Sequence, residues 1–211
     1  MSIFDEISEL VQKGKVKDIA GAVKGALDGG ASAQQILDDG LLAGMAILGE
    51  KFKNNEVFVP EVLLAAKALN EGTALLKEKL VAEDVKPLGK VVIGTVEGDL
   101  HDIGKNLVKL MMEGIGFEVF DLGADVSADE IVAAVKENNA DIVALSALLT
   151  TTMGQQGVVV KALEAAGLRD QVKVMVGGAP ITEKFCKDIG ADCYTVDAAA
   201  AAEAAKSLVG A

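Results

Sequence analysis

The residues able to do chemistry are concentrated in one stretch, GTVEGDLHDIGKNLV, residues 94–108, which holds the only histidine of the 211-residue chain. Three readings compete there. A phosphate cradle needs four residues between its glycines and then Gly-Lys-Ser/Thr, so that backbone N–H groups wrap the phosphates and a hydroxyl holds magnesium. Here five residues separate Gly98 from Gly104, Asn106 stands where the hydroxyl belongs, and Asp99 and Asp102 would face the phosphates. No G-x-G-x-x-G follows the first apolar run either, which removes a dinucleotide fingerprint. A metal site is the second reading. Asp99, two residues before His101, can accept a hydrogen bond from one ring nitrogen, fixing the tautomer and leaving the other nitrogen to a metal. With one histidine, and with Cys186 and Cys193 seven apart and far downstream, a zinc or iron site built from protein alone is short of ligands. A single histidine suits a metal that arrives with its other ligands attached. The third reading is an ordinary strand-to-helix turn.

The elements that must position this stretch follow from the spacing of apolar residues. From Ser2 to Ala82 they recur at three and four, predicting helices over about 2–13, 15–28, 33–53 and 60–82, with Ser32 as an N-cap and Pro60 in a first turn. Short connections make these an antiparallel four-helix bundle. After the polar stretch Glu83 to Gly89 the pattern changes. KVVIGTV, FEVFDLG, DIVALSALL, KVMVGGAP and ADCYTV are short apolar runs, separated by amphipathic segments such as GKNLVKLMMEGIG and SADEIVAAVKENN. Strand alternating with helix predicts an α/β domain, a flavodoxin-like, doubly wound, five-stranded parallel sheet that binds ligands beyond the carboxyl ends of its strands. The boundaries expected are 1–88 for the helical part with its linker and 89–211 for the α/β domain. Loops VEGDLHDIGKN, SALLTTTM and GGAPIT then converge on one crevice, and their small and hydroxyl residues admit something large against the backbone.

Composition narrows the partners. Twenty Lys and Arg against 32 Asp and Glu give a formal charge of -12, which repels phosphate backbones and anionic lipid surfaces. Aromatics are 3% with no Trp, so stacking platforms for single strands are missing as well. No nucleic acid is expected. No apolar run approaches the ~20 residues of a membrane span, and MSIFDEISELVQKGK has acids where a secretory signal needs positive charge, so a cytoplasmic protein is expected.

Asp99-x-His101-x-x-Gly104, followed by Ser146-x-Leu148 and Gly177-Gly178, resembles the cobalamin-binding fingerprint shared by methionine synthase and the small corrinoid proteins of methyltransferase systems. The resemblance spans essentially the whole chain, because the helical half is similar to the cap that precedes the cofactor domain in both. It implies cobalamin as cofactor, with His101 as lower axial ligand of cobalt in place of the displaced base. Gly98, Asp99, Leu100, Asp102, Ile103 and Gly104 then border the cofactor. Gly104, Ser146, Gly177 and Gly178 open a channel for its tail, Ser146 and Thr150 offer hydroxyls, and Leu148 lies alongside. Thr152, six positions after Ser146, completes a relay with Asp99 and His101, and Tyr194 to Ala198 flank the corrin edge. In the cap, Phe52, Val59, Val62 and Leu63 cover the upper face, although apolar residues at helical spacing also serve as bundle core.

The function implied is a methyl carrier. A substrate-specific methyltransferase, acting on a methylamine, betaine, methanol or an aromatic methyl ether, loads the cobalt. A second methyltransferase passes the group to tetrahydrofolate or coenzyme M, and a reductive activator completes the partner set. The chain is not expected to turn anything over alone. Two related classes compete: the small subunit of a cobalamin-dependent mutase, which normally lacks this helical cap, and a cobalamin-binding sensor, whose relatives carry a basic DNA-binding domain.

Overall fold

A computed structural model describes residues 2–210. The chain divides into two compact units, one running up to Lys86 and taking in Gly114–Gly116, the other made of Pro87–Glu113 and the residues from Phe117 on.

The first unit is built from α1 (Ile3–Gln12), α2 (Val16–Asp28), a long third rod, and α5 (Val59–Ala82). Ser2 and Ser32 start their helices with reciprocal caps to Asp5 and Gln35, and Pro60 sits in the first turn of α5, where its missing N–H leaves no bond unmade. Ile7, Val11, Ile19, Val23, Leu41, Met45, Leu48 and Leu76 fill the core. The third rod differs from its expected single α-helix: α3 (Ala33–Gln35) passes into a π-helical turn (Ile36–Leu42) before α4 (Ala43–Lys53). Ile36 and Leu41 are both fully buried and five residues apart. Five residues carry an α-helix well past one turn, and the wider π turn keeps both side chains on the core face. The start of the polar stretch is tied down as well: the Glu83 carboxylate accepts hydrogen bonds from the Ala33 and Gln34 amides, both at 3.1 Å, and so caps the third rod.

The second unit is a five-stranded sheet in the order β2-β1-β3-β4-β5, every pairing parallel. The strands are β1 (Lys90–Thr95), β2 (Glu118–Asp121), β3 (Ile142–Ser146), β4 (Lys173–Gly177) and β5 (Cys193–Tyr194). Helices α6 (Ile103–Glu113), α7 (Ala128–Asn138), α8 (Gly154–Ala165), α9 (Glu183–Asp188) and α10 (Ala198–Leu208) alternate with them. This is the doubly wound α/β architecture predicted from the alternating runs. Because β1 to β2 steps one way and every later crossover steps the other, right-handed connections put α6 on the opposite face from α7, α8 and α9. Val92, Val143, Leu145, Val174 and Val176 face Ile131, Val135, Val159 and Leu163 on one side. Their strand neighbours Val91, Ile93, Ala144 and Met175 are buried on the other, where α6 and α10 pack together.

That reversal of direction between β1 and β3 is the switch point at which doubly wound sheets open a crevice. β3 and β4 stay close below it. Gly178 has φ +130° and tucks under Ala147, whose carbonyl oxygen would lie 1.8 Å from any added Cβ. No described helix is long and apolar enough to cross a membrane. Gly178→Ala is expected to destabilise the protein by about 3 kcal/mol or more, since it combines a disfavoured φ with a backbone clash; urea unfolding followed by far-UV circular dichroism measures it.

Candidate functional site

The site begins with a turn that only glycine suits. After β1, Gly98 takes φ +80°, and its amide donates to Asp125 Oδ1 at 2.7 Å. The Asp125 amide in turn donates to the Asp99 carbonyl at 3.0 Å, so the β2–α7 loop clasps the β1–α6 loop from outside. The turn drives Asp99 inward, where its side chain is wholly buried.

Five donors converge on that carboxylate. Oδ1 accepts from the His101 amide at 3.1 Å and pairs with His101 Nδ1 at 2.7 Å. Oδ2 accepts from the amides of Leu148 at 2.7 Å and Leu149 at 3.3 Å, and from Thr152 Oγ1 at 2.6 Å. Burial alone pushes the Asp99 carboxyl up. The bonds from Thr152, the His101 ring, the His101 amide and the Leu148 amide outweigh it and hold the group well below the usual carboxylate range. An ionised carboxylate only accepts, so the shared proton sits on Nδ1. That leaves Nε2 as the ring nitrogen not engaged by Asp99, on a side chain that is half exposed.

The other expected residues divide by position. Thr95, Ser146 and Gly177 are partners in strand register, so their side-chain positions share one face of the sheet at the strand ends. A Cβ added at Gly177 or at Gly104 would meet no atom within 4 Å, so both open onto free space. Leu100, Ile103 and Leu148 project into solvent around His101. Thr150 is exposed, and Asp102 is tied back to Asn106 at 3.0 Å within the start of α6. Tyr194 does not join the group. It is the register partner of Val176 and packs with it into the α7 and α8 core, on the face opposite Ser146 and Gly177. Ala198 is buried in the first turn of α10.

In the helical unit, Val62 is fully buried and belongs to the bundle core, whereas Val59 and Leu63 are exposed and Phe52 is partly so. Exposed Phe58 and Leu64, 64% and 51% accessible, stand beside them and were not singled out in the sequence reading, nor was exposed Leu149 in the second unit; Val196, inside the expected Tyr194 to Ala198 stretch, is exposed too. Exposed large apolar residues in a chain this acidic were the available signal. Also missed was Gln156, wholly buried on α8, whose Nε2 donates to the carbonyls of Leu145 at 3.0 Å and Gly177 at 3.1 Å and so ties the helix that follows Thr152 to β3 and β4.

Fold and site define a flavodoxin-like domain, preceded by a helical bundle, with a buried carboxylate and its paired histidine at the switch point of the sheet. Comparison with known proteins agrees. Residues 89–206 match the B12 binding domain, and residues 3–77 match a second family described in the same words. The chain belongs to the B12-binding family. It is 43% identical over 209 residues to the dimethylamine corrinoid protein of Methanosarcina barkeri, covering 98% of this chain and 97% of that one. Among solved structures it is similar to a cobalamin-binding protein from Desulfitobacterium hafniense, with a TM-score of 0.80, 35% identity and full coverage of both chains. It is also similar to the methanol:cobalamin methyltransferase complex from Methanosarcina barkeri, with a TM-score of 0.90 and 30% identity, over 98% of this chain and 79% of that one.

The residues present fit a corrinoid. Among the described residues no group of three or more His, Cys, Asp or Glu is placed to hold a metal ion, so a metal here must bring most of its ligands with it. The free Nε2, the open space at Gly104 and Gly177 and the exposed apolar side chains around His101 match a large, mostly apolar macrocycle with a tail.

Asp99 also sets an acid dependence in the cofactor-free protein. Its folded pKa lies below the unfolded one, so its contribution is complete above the ordinary carboxylate range and is lost as pH falls below it. Asp99→Asn should therefore cost about 2 kcal/mol at pH 7, the size of a charge-assisted hydrogen bond, and the gap to wild type should begin to narrow, without closing, as pH falls below the ordinary carboxylate range; urea midpoints between pH 7 and pH 3 provide the check.

Proposed function

We propose that this chain is a corrinoid methyl carrier, with residues 1–88 as cap and 89–211 as cofactor domain, serving a methyltransferase that uses a methylated amine. When bound, the corrinoid supplies the cobalt on which the methyl group is carried. His101 is its lower axial ligand, through Nε2. The observation that carries this assignment is the pairing of His101 Nδ1 with a buried carboxylate at 2.7 Å, which leaves Nε2 as the free donor on a half-exposed ring. Thr152 hydrogen-bonds the far oxygen of that carboxylate, so a proton gained or lost at Nδ1 is felt across all three residues. Gly104, Ser146 and Gly177 accommodate the tail, and Leu100, Ile103, Leu148 and Leu149 support the ring.

The methylated-amine reading is supported by the name carried by the relative that is 43% identical over nearly the full length of both chains. Acceptor transfer falls to a second methyltransferase using tetrahydrofolate or coenzyme M, and a reductive activator restores oxidised cofactor. Donor choice lies with the partner methyltransferase. In the cap, Val59 and Leu63 shield the upper face together with Phe58, as their exposure supports. The helical unit also favours a carrier over a mutase subunit, because residues 3–77 match a B12-binding family of their own.

Protein labelled with 15N-histidine, reconstituted with cobalamin and reduced to cobalt(II), should show the two-line 15N splitting of an axial imidazole by electron paramagnetic resonance, and His101→Ala should abolish it; a three-line splitting in the labelled wild type, from the cofactor's own unlabelled base, removes the ligand assignment. Methyl loading with cognate methyltransferases should proceed with dimethylamine and not with methanol. For the cap, Val59→Ala with Leu63→Ala should speed photolysis of the methylated cofactor, whereas unchanged rates would return both residues to a purely structural role.

A further inference from the structure

We propose that Thr95 is a positioning residue for His101, its buried hydroxyl holding the carbonyl of His101's own peptide from the end of β1. The idea rests on His101 as cobalt ligand, the reading given above.

Three bonds orient His101. Its amide and its Nδ1 both go to Asp99 Oδ1. Its carbonyl accepts from Thr95 Oγ1 at 3.0 Å. Of the three, only this last bond is independent of Asp99. Together they fix the peptide planes on both sides of the residue as well as the ring, and thereby set where Nε2 points. Without the carbonyl bond the ring remains tethered, but the backbone carrying it is held from one side only.

Thr95 is suited to the task because it does not belong to the loop it holds. It is wholly buried at the last position of β1, in register with Ser146 of β3. Its amide donates to the Gly123 carbonyl and its carbonyl accepts from the Val126 amide, both at 3.0 Å. The donor is thus fixed to the sheet, and the sheet's position is passed directly to the ligand residue. Packing gives no reason for a hydroxyl here. The buried neighbours along this run are Val91, Val92, Ile93 and Val96, and a valine would fill the same volume without the cost of burying a polar group. The hydroxyl is accounted for by its bond to His101.

The test compares Thr95→Val, which removes the donor at constant volume, with Thr95→Ser, which keeps it. In the cofactor-free protein, carbonyl-13C-labelled histidine gives a single signal because the chain has one histidine. That signal should move upfield in Thr95→Val and stay in place in Thr95→Ser, while the ring 15N shifts that report Nδ1–H remain those of wild type in both. After reconstitution, the ratio of His-on to His-off cobalt(II), read by electron paramagnetic resonance, should fall about 2- to 10-fold in Thr95→Val, the equivalent of one ordinary hydrogen bond, and be restored in Thr95→Ser. Unfolding midpoints of both variants should stay near wild type. An unmoved carbonyl signal or an unchanged ratio in Thr95→Val, or a Thr95→Ser that falls with it, overturns the proposal. If Thr95→Val does not fold, Thr95→Ala is compared with Thr95→Ser on the same two readouts. Absence of the His-on signal in wild type itself marks a failure of the ligand reading, and the carbonyl signal, read without cofactor, then reports separately on the Thr95 bond.

Discussion

A carboxylate buried without a matching cation is among the least tolerable groups in a protein interior, and Asp99 is tolerable only because five donors reach it. Those donors come from two different loops. His101 lies two residues along its own loop, whereas Leu148, Leu149 and Thr152 follow β3. The charge therefore joins the two sides of the switch-point crevice, and the geometry of the histidine depends on it. Removing any one donor leaves the others to carry an ion that still cannot reach water. The resulting cluster has little freedom to change by degrees.

The topology explains why these loops can meet. In the order β2-β1-β3-β4-β5, β1 and β3 are neighbours although a strand intervenes in sequence, and their crossovers leave in opposite directions. Beside the switch point, β3 and β4 are held close at their carboxyl ends. Gly178 lies against Ala147 where no side chain could fit, and Gln156 spends both Nε2 protons on the carbonyls of Leu145 and Gly177. Gly104 and Gly177, by contrast, face free space. Glycines of two kinds are mixed in these loops, one set with no room for a side chain and the other with open space beside it.

Much of this could be read from residues alone because the signals were local. The single histidine, the Asp two positions before it, the alternating apolar runs and the helix caps at Ser32 and Pro60 each depend on neighbours within a few positions. What escaped depends on contacts between distant parts of the chain. Asp125 reads as a turn residue and becomes a clasp only when β2 lies beside β1. Glu83 reads as linker, yet it caps a helix 50 residues earlier. The π turn was hidden because Ile36, Leu37 and Leu41 satisfy a helical pattern of threes and fours, while the buried pair is the one five apart. The face of Tyr194 escaped for a simpler reason: in a two-residue strand the alternation of faces leaves little pattern to read, and only its register with Val176 fixes its side.

The ties to His101 also bear on how a carrier can serve more than one partner. Thr95, Asp99, Asp125, Leu148, Leu149 and Thr152 all belong to the second unit, so the bonds that orient the histidine do not run through the helical unit. Exposed apolar residues such as Phe58 and Leu63 belong to the first unit, which has a buried core of its own. In the proposed reading, where His101 ligates the metal and the helical unit is a cap, a partner reaches the cofactor only when the cap yields, and supports confined to one unit let Nε2 keep its direction meanwhile. A donor to Asp99 from the helical unit would instead have made the buried charge depend on both units.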